Sequence, residues 1–276
     1  MKRFLSALLA LVMVLSMLPL AVSAAGEHSD SHKCEKCNKT VTWTAWTSTT
    51  TLPTSGHYYL TGDVTVSAQT VASNLCLCLN GYTIHGTQNN KTFAVAATDK
   101  YIAIMDCTAA VVDGEYKAGR ITGGKNTTSA GGTIYVGNAN NKLYFYDGII
   151  EGNQVYYGGG GIAIANSTSS TKYGSVYFYG GEIRNNLAKN ASGTYVNGGG
   201  IWVGNNGKCY VTGGKITGNQ GLRGGGIYCG TKATLAVKNA TVTGNIATEL
   251  GGGVYMDTGV LSLQEVGLKS QTGLRK

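Results

Sequence analysis

Apolar positions along this chain alternate with polar ones in bursts of three to five residues, and the bursts recur. One word reads GGTIYV (131–136), GGGIAI (159–164), GGGIWV (198–203), GGGIYC (224–229) and GGGVYM (251–256). Its first β-branched residues, Ile134, Ile162, Ile201, Ile227 and Val254, are spaced 28, 39, 26 and 27 apart. A second word follows four of them: FYDGIIEGN (145–153), FYGGEIRNN (178–186), VTGGKITGN (211–219) and VKNATVTGN (237–245). A fainter copy, AGRITGGK (118–125), precedes them all. A period of two predicts strands, not helices. A repeat of about 26 residues built from such short strands predicts a solenoid, because each copy can bury its apolar face only against its neighbours. Two longer spacers, 166–174 and 187–197, are rich in Asn, Ser, Thr and Lys and read as loops.

Aligning the copies sorts inside from outside. Ile134/Ile162/Ile201/Ile227/Val254 and Val136/Ile164/Val203/Cys229/Met256 form two apolar columns on the first strand. Leu143/Val176/Cys209/Leu235, Phe145/Phe178/Val211/Val237 and Ile150/Ile183/Ile216/Val242 form three more. All five predict core. Asn153, Asn186, Asn219 and Asn245 fall at one corner, where stacked amides can bond one another and the turn backbone. The glycine clusters superficially suggest a phosphate loop, but no Lys-Ser or Lys-Thr pair follows and no helix opens after them. They predict turns.

The words "GGGIYV…GGKITGN", with the leader words TWTAWTS (42–48), YYLTGDVTVS (58–67) and LCLCLNGYTIHG (75–86), closely resemble the right-handed parallel β-helix repeat proteins. These have the pectate-lyase-like superfold, and the chain is most similar to exported bacterial surface proteins that carry it. Cys78 stands where the leader of that group has Asp. The resemblance implies an all-β, right-handed single-stranded parallel β-helix with about 26 residues per coil. It is specific for fold and weak for activity, since this superfold hosts lyases, hydrolases, adhesins and phage tailspikes.

The amino terminus, MKRFLSALLALVMVLSMLPLAVSAAG, has a basic start, an apolar run and small residues at Val22-Ser23-Ala24, the marks of a secretory signal peptide. The expected organisation is a signal peptide at 1–24, a linker at 25–55, the β-helix at 56–263 and an irregular, truncated tail at 264–276. Beyond the signal peptide, no stretch is apolar for long enough to span a bilayer. Composition fits a folded exported chain: 42 glycines, 17 tyrosines, two prolines and 13% charged residues, too little charge for disorder. Of the net charge of +8, Lys2 and Arg3 carry two. The remaining excess is diffuse, which points to acidic glycans or cell-wall polymers and not to nucleic acid.

Seven cysteines, an odd number, leave at least one outside internal disulfides. Cys209 and Cys229 fall in core columns. Cys78 and Cys107 sit on successive strands, where a disulfide between coils is an option. HSDSHKCEKC (28–37) places His28, His32, Cys34 and Cys37 within ten residues. Two thiolates and two imidazoles suit tetrahedral zinc; a Cys34–Cys37 disulfide, free thiols and another metal are the alternatives.

Glu151, Glu182 and Asp147 are the outward acids of the repeats, with Arg184 stacked over Glu151, while Asp99, Asp106 and Asp113 form a thinner group. Neither set makes a family catalytic motif. The more informative outward positions are aromatic: Tyr135, Trp202, Tyr228 and Tyr255, interrupted by Ala163, lie between the two columns of the first strand. They are the candidate surface for a glycan or a surface protein. The expectation is a secreted or cell-surface, adhesin-like binding module, with a polysaccharide lyase or hydrolase as the alternative and a structural spacer as the third reading.

Overall fold

A computed structural model describes residues 31–47, 51–129 and 131–269. Within them the chain winds as a parallel β-solenoid with four faces. Its longest sheet has nine strands, from Thr44–Trp46 and Gly56–Leu60 through Leu75–Cys78, Tyr101–Met105, Lys142–Phe145, Ser175–Phe178, Lys208–Val211 and Ala233–Lys238 to Gly259–Gln264. An eight-stranded sheet follows it around each coil, then a five-stranded one, then a seven-stranded one that carries the Gly-rich words. Every pairing in these four sheets is parallel, each strand with its counterpart one coil away. Two antiparallel hairpins lie outside the coils, Ser31–Cys34 with Lys39–Thr42 and Ala110–Val112 with Glu115–Lys117.

All five predicted columns point inward. Ile134, Ile162, Ile201 and Ile227 are fully buried and in register, as are Ile150, Ile183, Ile216 and Val242. Phe145 and Phe178 stack at 5.4 Å. Each such side chain contributes about 1.5–3 kcal/mol on burial, and the column repeats that contribution along the axis. Cys209 and Cys229 are fully buried within it. Burial pushes both thiols up, Cys209 to about 12, which leaves them inert. Trp46 and Leu52 lie at the amino-terminal end of this core.

The asparagine corner forms as expected. Asn186 donates from its backbone N–H and its Nδ2 to Asn219 Oδ1, both at 3.0 Å, and Asn219 does the same to Asn245. Each Nδ2 also reaches the carbonyl of the previous coil, Asn219 to Ile183 at 2.9 Å. The Gly-Gly-Gly words need glycine twice over. Gly198 has φ +72, and a Cβ on Gly199 would lie 2.4 Å from the Gly225 carbonyl oxygen of the next coil.

Three features depart from expectation. The five-stranded face, including Gln154–Val155 and Leu187–Ala188, is missing from the sequence reading because two-residue strands of mixed polarity carry no period. Part of the expected linker is folded: residues 31–42 form a hairpin and Thr44–Trp46 pairs with Gly56–Leu60 as the first rung. Part of the expected irregular tail pairs too, Gly267–Lys269 running parallel to Thr241–Thr243. The expected signal peptide lies outside the described residues. Among those described, no helix is long and apolar enough to cross a membrane.

Candidate functional site

Tyr135, Ala163, Trp202, Tyr228 and Tyr255 occupy one register row on the outside of the seven-stranded sheet. Alternation along each three-residue strand puts the flanking Ile, Val or Cys inward and forces the central residue out. The row does not present four equivalent rings. Tyr135 lies under the Lys91 ammonium, 4.0 Å from its centroid, and burial raises its phenol. Ala163 is fully buried and separates Tyr135 from the rest. Tyr228 and Tyr255 stack at 5.7 Å with ring planes 8° apart. Tyr228 is only 8% exposed, and its hydroxyl donates to Asp257 at 2.5 Å. Burial, then that bond, push the Tyr228 phenol up.

Trp202 and Tyr228 line a groove of about 500 Å³. Tyr157, Val196 and Leu222 complete its apolar lining, and Asn166, Asn197, Asn205, Thr231 and Asp257 supply polar groups. Glycine shapes one wall: Trp202 lies across Gly158, where a Cβ would meet the indole at 3.4 Å. Asn197 Oδ1 is buried there with no hydrogen-bond partner among the described residues, an acceptor in need of a donor. Tyr157 remains 60% exposed at the rim. Sequence reasoning found Trp202 and Tyr228 but missed Tyr157, Val196 and Asn197, which leave the coil on its irregular segments.

A second aromatic surface lies on the nine-stranded sheet. Tyr144, Tyr177 and Tyr210 stack at 5.0 and 5.1 Å, and Tyr146 stacks on Tyr179 at 4.7 Å. Lys36, from the amino-terminal hairpin, covers Tyr144 at 4.3 Å. These contacts are cross-coil stacking, worth about 0.2–1 kcal/mol per pair.

The expected zinc set is rearranged. His28 lies outside the described residues. Cys34 and Cys37 come together not with His32 but with His57 and Cys76, all four ligand atoms lying within 4.8 Å of one another. His32 turns instead toward Cys78 and Cys107 and stacks on Trp43, ring centroids 4.5 Å apart. The register of the coil and an intervening ring explain the exchange. His57 and Cys76 face outward from adjacent rungs, whereas His32 and Cys34 lie two apart on one hairpin strand with Trp43 between His32 and His57. The Cys76 thiol, bonding to Cys34 sulfur, pulls Cys34 down to about 5, and the same bond pushes Cys76 up. Cys78 and Cys107, for which an intercoil disulfide is one option, are brought to 3.0 Å between sulfurs.

The outward acids have partners. Glu151 bridges Arg120 and Arg184, each at 2.6 Å, and Glu182 holds Arg184 and Lys215 at 2.6 and 3.2 Å. Asp106 is buried and accepts from the Gly81, Thr108 and Gly119 backbone. Asp99 accepts from Asn140, and Asp113 sits with φ +53 in the 110–117 hairpin turn. Each therefore has a local structural task.

No family model matches this chain, and no curated protein or solved structure is significantly similar to it.

Proposed function

We propose that this chain is an exported binding module of the pectate-lyase-like β-helix kind, which takes a glycan into the groove beside Trp202 and Tyr228. The observation that carries the reading is the lining of that groove. An indole and two phenol rings flank a trough bordered by Asn166, Asn197 and Asn205, with Asn197 Oδ1 lacking a partner among the described residues. Sugars have apolar C–H faces and hydroxyl edges. Rings serve the faces and carboxamides serve the edges. The coil rise of about 4.8 Å is also near the span of one sugar ring. Export rests on the pattern of residues 1–24, and the diffuse positive charge favours an acidic polymer.

The test is a glycan array run with a depolymerisation assay on one preparation of the protein. Retention of a glycan without chain cleavage is the expected result. In Trp202→Ala that retention should fall about tenfold or more, the equivalent of one lost stacking contact. Release of unsaturated or reducing ends would convert the reading to a lyase or hydrolase. No binding to any glycan by a folded protein would remove it.

A further inference from the structure

The thiol–imidazole cluster at the amino-terminal end of the solenoid belongs to no part of the groove. We propose that Cys34, Cys37, His57 and Cys76 form a tetrahedral zinc site that fastens the amino-terminal hairpin to the first two full rungs of the coil. The geometry matches the chemistry. Ligands at about 2.0–2.3 Å from a tetrahedral zinc lie about 3.3–3.8 Å from one another. The four ligand atoms here already fall within 4.8 Å of one another, and Cys37 Sγ is 3.2 Å from His57 Nε2. Closure of the set onto an ion needs shifts of an ångström or less.

Each ligand is placed by a separate structural device. The hairpin turn, closed by the Asn38 N–H donating to the Cys34 carbonyl at 2.8 Å with Asn38 at φ +53, turns Cys34 and Cys37 to one side. His57 and Cys76 are register partners on adjacent parallel strands. Cys76 is an outward residue, between Leu75 and Leu77, yet only 2% exposed, because the hairpin covers it. Cys34 is fully buried. Trp43, Tyr59, Tyr101 and Tyr144 pack around the set, and Lys36 adds positive charge beside three sulfurs. Three thiolates with one imidazole favour zinc among the common divalent ions. A four-ligand set with no position for water or substrate is a structural site, and the ion's contribution is the joining of segments 20 and 39 residues apart in sequence.

The experiment uses the full chain purified without chelator. Metal analysis should find one zinc per chain. Replacement by Co2+ should give the visible d–d bands of tetrahedral cobalt and strong sulfur-to-metal absorption in the near ultraviolet. Cys76→Ser and His57→Ala should weaken zinc retention at least tenfold in competition with a chromophoric chelator, while His32→Ala and Cys209→Ser should retain it. The cobalt spectrum of the unaltered protein keeps the test decisive even if Cys76→Ser misfolds. Zinc absent and no tetrahedral cobalt spectrum would overturn the site, as would Cys34, Cys37 or Cys76 found in disulfides by intact mass and peptide mapping. Metal lost in His32→Ala but kept in His57→Ala would overturn the ligand set. None of these outcomes depends on glycan binding.

Discussion

His57 stands directly across from Cys76 on the neighbouring strand of the nine-stranded sheet. Nothing local to either residue requires that, since they are 19 positions apart and join through stacking of coils. The pairing places an imidazole and a thiol on the outside of the solenoid, on a sheet whose outer face farther along carries the Tyr144, Tyr177 and Tyr210 stack. It also shows where covalent and metal chemistry can act on this fold, at rungs covered by an added hairpin.

Two residues along the same strand as Cys76, Cys78 faces Cys107 of the next coil at 3.0 Å between sulfurs, against about 2.05 Å for a disulfide. Treatment of the protein with oxidised glutathione should close this pair by thiol–disulfide exchange, with loss of the mass of two hydrogens and a linking peptide on mapping. The crosslink spans 29 residues, for which loop closure predicts up to roughly 3–4 kcal/mol of stabilisation. The gain in Tm should vanish in Cys107→Ser. A protein that resists oxidation while fully folded would contradict the geometry.

The asparagine corner should be the least tolerant polar position. Asn219→Ala strands the Asn186 amide donors and the Ile183 carbonyl inside the coil. At about 1–3 kcal/mol per buried group left unsatisfied, the loss should reach about 3–5 kcal/mol in chemical denaturation. Asn205→Ala, whose Oδ1 receives the exposed Thr231 N–H at 2.9 Å, should cost less than about 1 kcal/mol. Equal losses at the two positions would refute the ladder's role.

Asp147 gives a pH signature. Burial pushes its carboxyl from 3.8 up to about 6, opposed by the Gly148 N–H and aided by the Asp106 charge. The folded state then holds a proton that the unfolded state releases between those values. Stability therefore falls as pH rises from about 4 through about 6, and remains lower above that. Asp147→Asn should raise Tm at pH 8 by a few degrees and change it little at pH 4, the half-exposed position limiting the effect. An unchanged Tm profile across that range would show the carboxyl to be unperturbed.

Tyr228→Phe separates two tasks of one side chain. It keeps the ring stacked on Tyr255 but removes the bond to Asp257, so about 1 kcal/mol of stability should go. Glycan retention in the groove should survive, because the ring face remains. Loss of binding with unchanged melting would assign the hydroxyl to the ligand instead.

Most of the solenoid is written in the sequence, because a coil repeats the same decision in every copy. Isoleucine at 134, 162, 201 and 227 cannot face water four times over, and four asparagines at one corner can only meet each other. The sites are harder to read. Tyr157, Val196 and Asn197 reach the groove from segments with no repeat, so alignment of copies passes over them. The thiol cluster misled for a different reason. Cys34 and Cys37 drew attention to their chain neighbours His28 and His32, whereas their spatial neighbours depend on the register between HYYL and LCLC. Setting those two words side by side would have put His57 next to Cys76.

The insertion between Asn186 and Gly198 carries Val196 and Asn197 to the groove and then hands the chain back to the next coil in register. Its first residues, Leu187–Ala188, are a rung of the five-stranded sheet with Ala188 fully buried, whereas residues 191–194 beyond them are exposed and lie outside the buried columns and the amide corner. Trp202 and Tyr228, by contrast, stand on rungs of the seven-stranded sheet, so the solenoid's shaft and its groove share those strands. Changes of length in this insertion are therefore best absorbed at the exposed residues 191–194, which belong to no strand. A solenoid of this construction accepts added walls beside its rungs, and in this groove one such wall stands against the Trp202 indole.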